Sequence, residues 1–147
     1  MNTQELINAY SHKIKIQIRF KDIDKLGHVN NANHLTYIES GRVDYFNDVV
    51  RSKIDWNKTG MILANCEIAY KQPILLEDNL FCYTKVSRFG NKSFDIENLL
   101  IIDNGDGPRL GASAKVTLVC MNYETKQTIE VPREWKDLVI AFEKSIS

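Results

Sequence analysis

The chain has 147 residues, 44% of them hydrophobic and 26% charged, which fits one α+β-sized domain able to bury roughly 70% of the surface its unfolded form exposes. Lysine plus arginine number 19 and aspartate plus glutamate also 19, so no field of one sign is present to hold a nucleic-acid backbone or an anionic lipid surface. The longest apolar runs, Leu99 to Ile102 and Leu138 to Phe142, are far shorter than the roughly 18 residues of a spanning helix, and Met1 to Glu5 has no basic stretch leading into an apolar one, so a single cytoplasmic domain over 1–147 is expected, with no nucleic-acid or membrane partner.

The first clear element is residues 14 to 20, where Ile14, Ile16, Ile18 and Phe20 alternate with polar residues and predict one apolar face of a half-buried strand. The alternation breaks over Lys21 to Gly27. From about Asn33 the period becomes helical, with Leu35, Ile38, Arg42, Tyr45 and Val49 at three- and four-residue steps, which predicts a helix of about 15 residues. Asn30 and Asn31 precede it and are good capping types, because their side chains accept from the first unpaired amides.

From residue 63 the period returns to two. Cys66, Ile68 and Tyr70 share one face, and so in turn do Leu80, Cys82, Thr84 and Val86, then Phe94, Ile96, Leu100 and Ile102, then Ala112, Ala114, Val116, Leu118 and Cys120. These predict four long strands. Gly90-Asn91 and the stretch Asn104 to Pro108 supply the positive-φ turn chemistry that closes antiparallel hairpins. Pro132 followed by Trp135, Leu138, Val139 and Phe142 predicts a short C-terminal helix with the proline near its first position. One early helix cannot serve as the crossover of a parallel sheet this large, so the fold class is α+β, a mostly antiparallel sheet of about five strands against one long helix.

Cys66, Cys82 and Cys120 are widely spaced and odd in number, which predicts core thiols rather than a disulfide framework. His12, His28 and His34 lack metal-ligand spacing, so no metal is expected. The chemistry-bearing stretch is Asp22 to Asn33, which sets two carboxylates, an imidazole and three amides between a strand and the start of the long helix. A helix start offers unpaired N–H groups and the positive end of the macrodipole. A carboxylate such as Asp24 could there activate water while amides near Asn31 hold the oxygen of a polarised carbonyl. On residue type alone, an aspartate and asparagines in this position are equally ordinary capping residues.

The run Asp24-x-x-x-His28-Val29-Asn30-Asn31, followed by Asn33, Glu39 and Arg42, resembles the hotdog-fold thioesterases of the 4-hydroxybenzoyl-CoA thioesterase family, especially their long-chain acyl-CoA and acyl-carrier-protein branch. The resemblance covers the first third of the chain by motif and the rest by element order. It implies a hotdog fold, in which a long helix is wrapped by the sheet, and hydrolysis of acyl-CoA or acyl-carrier-protein thioesters without metal or cofactor, coenzyme A being part of the substrate. It further implies a homodimer or homotetramer with sites at subunit interfaces. Carried over residue by residue, it makes Asp24 the carboxylate that activates water or forms a mixed anhydride, and Asn31 the source of the oxyanion-binding backbone amide. His28 and Asn30 then shape the loop, while Glu39 and Arg42 support packing or the interface, Glu39 also having a rival role as a helix carboxylate. His34 departs from the tyrosine that relatives commonly carry there, and Leu26 from the asparagine of the plant acyl-carrier-protein enzymes.

The missing G-x-S-x-G argues against a serine hydrolase. Arg88 and Lys92, beside the Gly90-Asn91 turn, are candidate contacts for coenzyme A phosphates, against the simpler reading of solvated surface charge. Two alternatives remain: a hotdog enoyl-CoA hydratase or dehydratase, whose D-x-N-P-x-H pattern is absent here, and a non-catalytic acyl-thioester binding module. Asp22 serves as the control, since Asp22→Asn is expected to affect hydrolysis much less than Asp24→Asn. The free sheet edges of one subunit also predict at least a homodimer.

Overall fold

The computed structural model describes residues 1–51, 55–144 and 146. A six-residue helix α1 (Thr3–Asn8) leads into strand β1 (His12–Ile16), and a 3₁₀ turn at Phe20–Asp22 precedes the long helix α2 (Asn31–Val49). Strands β2 (Thr59–Tyr70), β3 (Leu80–Phe89), β4 (Ser93–Ile102) and β5 (Arg109–Asn122), the two-residue β6 (Gln127–Thr128) and helix α3 (Arg133–Phe142) follow. The sheet is antiparallel throughout in the order β1-β3-β4-β5-β2, with β6 on β5. This is the hotdog architecture expected of the chain: a long helix against a curled sheet, with a short helix at the C-terminal side.

Helix α2 packs mainly on β3, β1 and β4. Its buried residues are His34, Tyr37, Ile38, Gly41, Tyr45, Phe46 and Val49, and the core joins Ile38, Tyr45, Phe46 and Val49 to Leu80, Cys82, Val86, Phe94, Ile96 and Val116. Each large side chain so buried contributes roughly 1.5–3 kcal/mol. Gly41 is the closest approach: a β-carbon there would lie 2.6 Å from Cys82 Sγ and 2.8 Å from Thr84 Oγ1. The helix therefore sits directly on β3, and the β2–β5 half of the sheet is left with little helix above it.

That placement corrects the expected helix stripe. Leu35 is exposed, and the buried face is turned toward His34, Tyr37 and Gly41, because the strands beneath are β3 and β1 rather than β2. The helix is also longer than expected, 19 residues. Phe20 is a second correction. It is 83% exposed, since β1 ends at Ile16 and the 3₁₀ turn at Phe20–Asp22 carries the side chain out of the alternation. Pro132 caps α3 rather than opening its first turn. Of the turn glycines, Gly105 and Gly107 take positive φ, whereas Gly90 does not.

Helix α1 carries a signal that the sequence reading passed over. Asn2 accepts from the Glu5 amide at 2.9 Å and Glu5 Oε2 accepts from the Asn2 amide at 3.2 Å, a reciprocal capping box. The cysteines form no disulfide; Cys82 and Cys120 are core thiols, and Cys66 is only partly buried. Among the described residues no helix is long and apolar enough to cross a membrane.

Candidate active site

The loop between β1 and α2 is built on a buried carboxylate. Asp22 is 1% exposed and accepts from Tyr37 Oη at 2.7 Å, the Arg19 amide at 3.1 Å and Arg19 Nη2 at 3.0 Å. Burial opposes its ionisation, but the bonds from Tyr37 and Arg19 outweigh that and hold its carboxyl below the usual value. Burial and the neighbouring charge of Asp22 push the Tyr37 phenol up, so it stays a donor. The Asp22 carbonyl accepts from the Asn30 amide at 2.8 Å and Asn33 Nδ2 at 3.1 Å. Asp22 thus ties the base of the loop to the helix, through its side chain to Tyr37 and through its backbone carbonyl to Asn30 and Asn33.

Above this base the chain makes a short hairpin. Ile23 bridges Val29, the Asp24 amide donates to the His28 carbonyl at 2.9 Å, and the Gly27 amide donates to the Asp24 carbonyl at 3.0 Å. Gly27 sits at φ 84°, a conformation nearly free for glycine and costly for other residues. The Asp24 side chain is half-buried, accepts from the Leu26 amide at 2.9 Å and lies 3.4 Å from Asn30 Nδ2. Asn30 is the N-cap of α2, its Oδ1 accepting from the Ala32 amide at 3.0 Å. One asparagine thereby caps the helix and holds Asp24 beside the helix start.

Asn31 is the first residue of α2. Its amide belongs to the first turn, where an α-helix provides no internal acceptor, and no hydrogen bond from it is formed among the described residues. The Asn31 carbonyl accepts from Tyr70 Oη at 3.3 Å, so the end of β2 is joined to the helix start. A cleft of about 220 Å³ opens there, lined by His28, Asn31, His34, Tyr70, Lys71 and Ile74 among others. Asp24 does not line this cleft; it is joined to it through its amide, which donates to the carbonyl of His28. Buried His34 packs edge-on to Tyr70 with ring centroids 4.9 Å apart, and burial lowers its pKa, favouring the neutral ring.

The loop therefore brings Asp24, His28, Asn30 and Asn31 together. Tyr70, Lys71 and His34 join them without having been chosen from sequence. Tyr70 and Lys71 lie 39 or more residues away along the chain, and only strand pairing shows the approach. Glu39 is not part of this group. It is two turns farther along α2, on the order of 12 Å from Asn31 by helical rise, and pairs loosely with Arg42 at 3.7 Å.

Arg88 and Lys92 are also placed elsewhere within one chain. The β3–β4 hairpin that carries them is at the end of the sheet away from Tyr70: Tyr70 aligns through Ala112 with Leu100, and Ser93 is seven residues farther along β4, roughly 23 Å at strand rise. Arg88 Nε donates to buried Asp95 at 2.9 Å, so its charge is engaged in the sheet. Hairpin composition alone carried no information on which end of the sheet the turn would occupy. Among the described residues no three His, Cys, Asp or Glu side chains converge as a possible metal shell.

Comparisons with known proteins agree with this architecture. The chain is 26% identical to the uncharacterized protein YsmA of Bacillus subtilis, over 95% of this chain and 92% of that one. It is 24% identical to the long-chain acyl-CoA thioesterase FadM of Escherichia coli, over 84% of this chain and 92% of the relative. A crystal structure of a thioesterase from Thermus thermophilus, complexed with coenzyme A and Zn, superposes with a TM-score of 0.79 at 27% identity, covering 92% of this chain and 96% of that one. Residues 18–139 match the Thioesterase-like superfamily, and the chain belongs to that superfamily.

Proposed function

We propose that the chain hydrolyses acyl-CoA thioesters, releasing a free acid and coenzyme A, with Asp24 as the reactive carboxylate and the Asn31 amide as oxyanion donor. The observation that carries this reading is the Asn30 bridge, which keeps the Asp24 carboxylate next to an unpaired amide at the positive end of α2. A thioester suits these parts, because its carbonyl is electrophilic and its thiolate leaves readily, so a carboxylate and fixed donors suffice. Family membership and the likeness to FadM and to a thioesterase holding coenzyme A support the substrate class.

The carboxylate either draws a proton from water as water attacks the carbonyl carbon, or attacks that carbon itself to give an anhydride that water then opens. In both routes the carbonyl oxygen gains negative charge as the tetrahedral centre forms, and the Asn31 N–H and helix dipole stabilise it. His28 and Asn30 position the loop, and no cofactor is required. Of the two carriers we favour coenzyme A, with Lys71 as the nearest lining cation for its phosphates; Arg88 and Lys92 could serve only from another subunit.

We further propose a homodimer formed through β2. This 12-residue strand is an open sheet edge with Ile62 and Leu63 exposed, and a long apolar edge left bare invites pairing.

The test is incubation of the purified protein with a series of acyl-CoA esters and a thiol-reactive dye. Steady release of free coenzyme A is expected. Consumption of an enoyl-CoA without thiol release would replace the reading with a hydratase, and binding without turnover would replace it with a carrier.

A further inference from the structure

The cleft at the start of α2 is lined by Asn31, yet no carboxylate among the described residues lines it. The groups in reach of a water inside it are those of its own lining. Lys71 ends in an ammonium, which has no acceptor, and Tyr70 gives its hydroxyl proton to the Asn31 carbonyl. Gln72 Oε1 already accepts from Arg109 at 3.0 Å. Two imidazoles remain, His28 and His34, and their settings differ. His28 is half-buried on the hairpin, and no hydrogen bond fixes its ring among the described residues.

His34 is 3% exposed and stands three residues after Asn31 on α2. Helical side chains lean back toward the N-terminus, which lays this ring over the first turn. Its Nδ1 lies 3.4 Å from the Asn30 carbonyl. A carbonyl only accepts, so the proton of the neutral ring sits on Nδ1 and Nε2 keeps a lone pair. No hydrogen bond reaches Nε2 among the described residues. Tyr70 packs edge-on against the ring with centroids 4.9 Å apart, and Tyr37 stands at 6.5 Å. Burial favours the neutral ring, whereas the Asn30 and Asn31 carbonyls beside it favour the charged one. The same surroundings leave a base free at neutral pH and steady it once a proton arrives.

We propose that His34 is a catalytic base of this site, its Nε2 taking a proton from the water that completes hydrolysis. The inference rests on the thioesterase reading and deepens it, because it divides the reaction between two groups. Asn31 adjoins both: it follows the Asn30 that contacts Asp24, and it lines the cleft with His34. An Asp24 oxygen bonds to the acyl carbon as the carbon–sulfur bond breaks, and coenzyme A leaves as a thiolate that solvent protonates. Water from the cleft then attacks the acyl carbon of the anhydride, one of its protons passes to Nε2, and the bond between that carbon and the Asp24 oxygen breaks. The free acid departs, the Asp24 carboxylate is restored, and the imidazolium returns its proton to solvent.

The test follows coenzyme A release from dodecanoyl-CoA by rapid mixing, with the intact mass of the protein measured after acid quench. His34→Gln is expected to release roughly one equivalent per chain in a burst at the parent's rate, then to turn over about 10²–10⁴ more slowly. Its quenched mass should carry one dodecanoyl group. The parent at neutral pH should show neither burst nor adduct, and the double variant Asp24→Asn with His34→Gln should form no adduct. The parent also supplies a reading that needs no folded variant. A protonated ring cannot accept, so burst and adduct should emerge in the parent as the pH falls below the ordinary imidazole range, and vanish on return to neutral pH. Parent-like steady turnover in His34→Gln would overturn the inference and leave the hydrolase standing, as would a slowing with no burst or adduct in the variant or in the acidified parent. Absence of coenzyme A release by the parent from dodecanoyl-CoA, hexanoyl-CoA and benzoyl-CoA alike would remove both readings together.

Discussion

Asp22 and Asp24 are two residues apart, and extended backbone would point both to the same side, yet they occupy opposite settings. At the base of the loop, Asp22 is enclosed and takes hydrogen bonds from Tyr37 and Arg19. At the tip, Asp24 is half-open and is held by one amide and a long contact to Asn30. Asp22 closes the 3₁₀ turn, whereas Asp24 lies past it in the short hairpin that Ile23 and Val29 begin. A saturated carboxylate stabilises a fold, whereas one with spare acceptor capacity is free to meet water or a carbonyl carbon. The difference lies in the partners, since the side chains are identical.

The sharpest way to break this comparison is to neutralise each aspartate separately. Asp24→Asn should lower kcat for acyl-CoA hydrolysis by about 10²–10⁴ while leaving the thermal midpoint close to the parent; unchanged turnover would remove Asp24 from the chemistry. Asp22→Asn should instead cost about 1–3 kcal/mol in denaturant unfolding, because a charged acceptor of several bonds is lost. If Asp22→Asn proved as stable as the parent, the base of the loop would not be the anchor described above.

Acidification gives a graded version of the same contrast. The Asp22 carboxyl titrates lower in the folded chain than in the unfolded one. Its contribution is therefore complete above the ordinary carboxylate range and disappears as the pH falls through that range toward the depressed folded value. Stability measured against pH should fall more steeply on this acid limb in the parent than in Asp22→Asn. At the tip, Gly27→Ala should cost about 1 kcal/mol, the penalty for a β-carbon at positive φ, with no steric contribution because nothing lies within 4 Å of the added carbon. Leu26→Ala is the smallest change expected, within about 0.5 kcal/mol, since Leu26 is exposed.

Much of this molecule was legible before any coordinates. Strict alternation exposes the strands, since period two is a direct imprint of a sheet with one buried face, and asparagine at the helix entry announces the cap that Asn30 supplies. The family motif pointed to Asp24 and Asn31; Asn31 opens α2, and Asp24 lies in the hairpin before it, 3.4 Å from the Asn30 side-chain amide nitrogen. Periodicity failed where tertiary packing chose between similar faces: Leu35 matched the helical stripe but faces a half-covered sheet, and Phe20 continued an alternation that a turn had already ended. Asp22 looked like a spare copy of Asp24 because sequence carries no record of Tyr37 reaching back to it. Tyr70 and Lys71 approach the cleft only through the pairing of β2 with β5, and no local pattern encodes that meeting.

The contact at Gly41 has an evolutionary corollary. With no space for even a methyl group between that residue and Cys82 and Thr84, the helix is a fixed wall. Variation among descendants should therefore accumulate elsewhere in the molecule, while the seat beneath the glycine stays small.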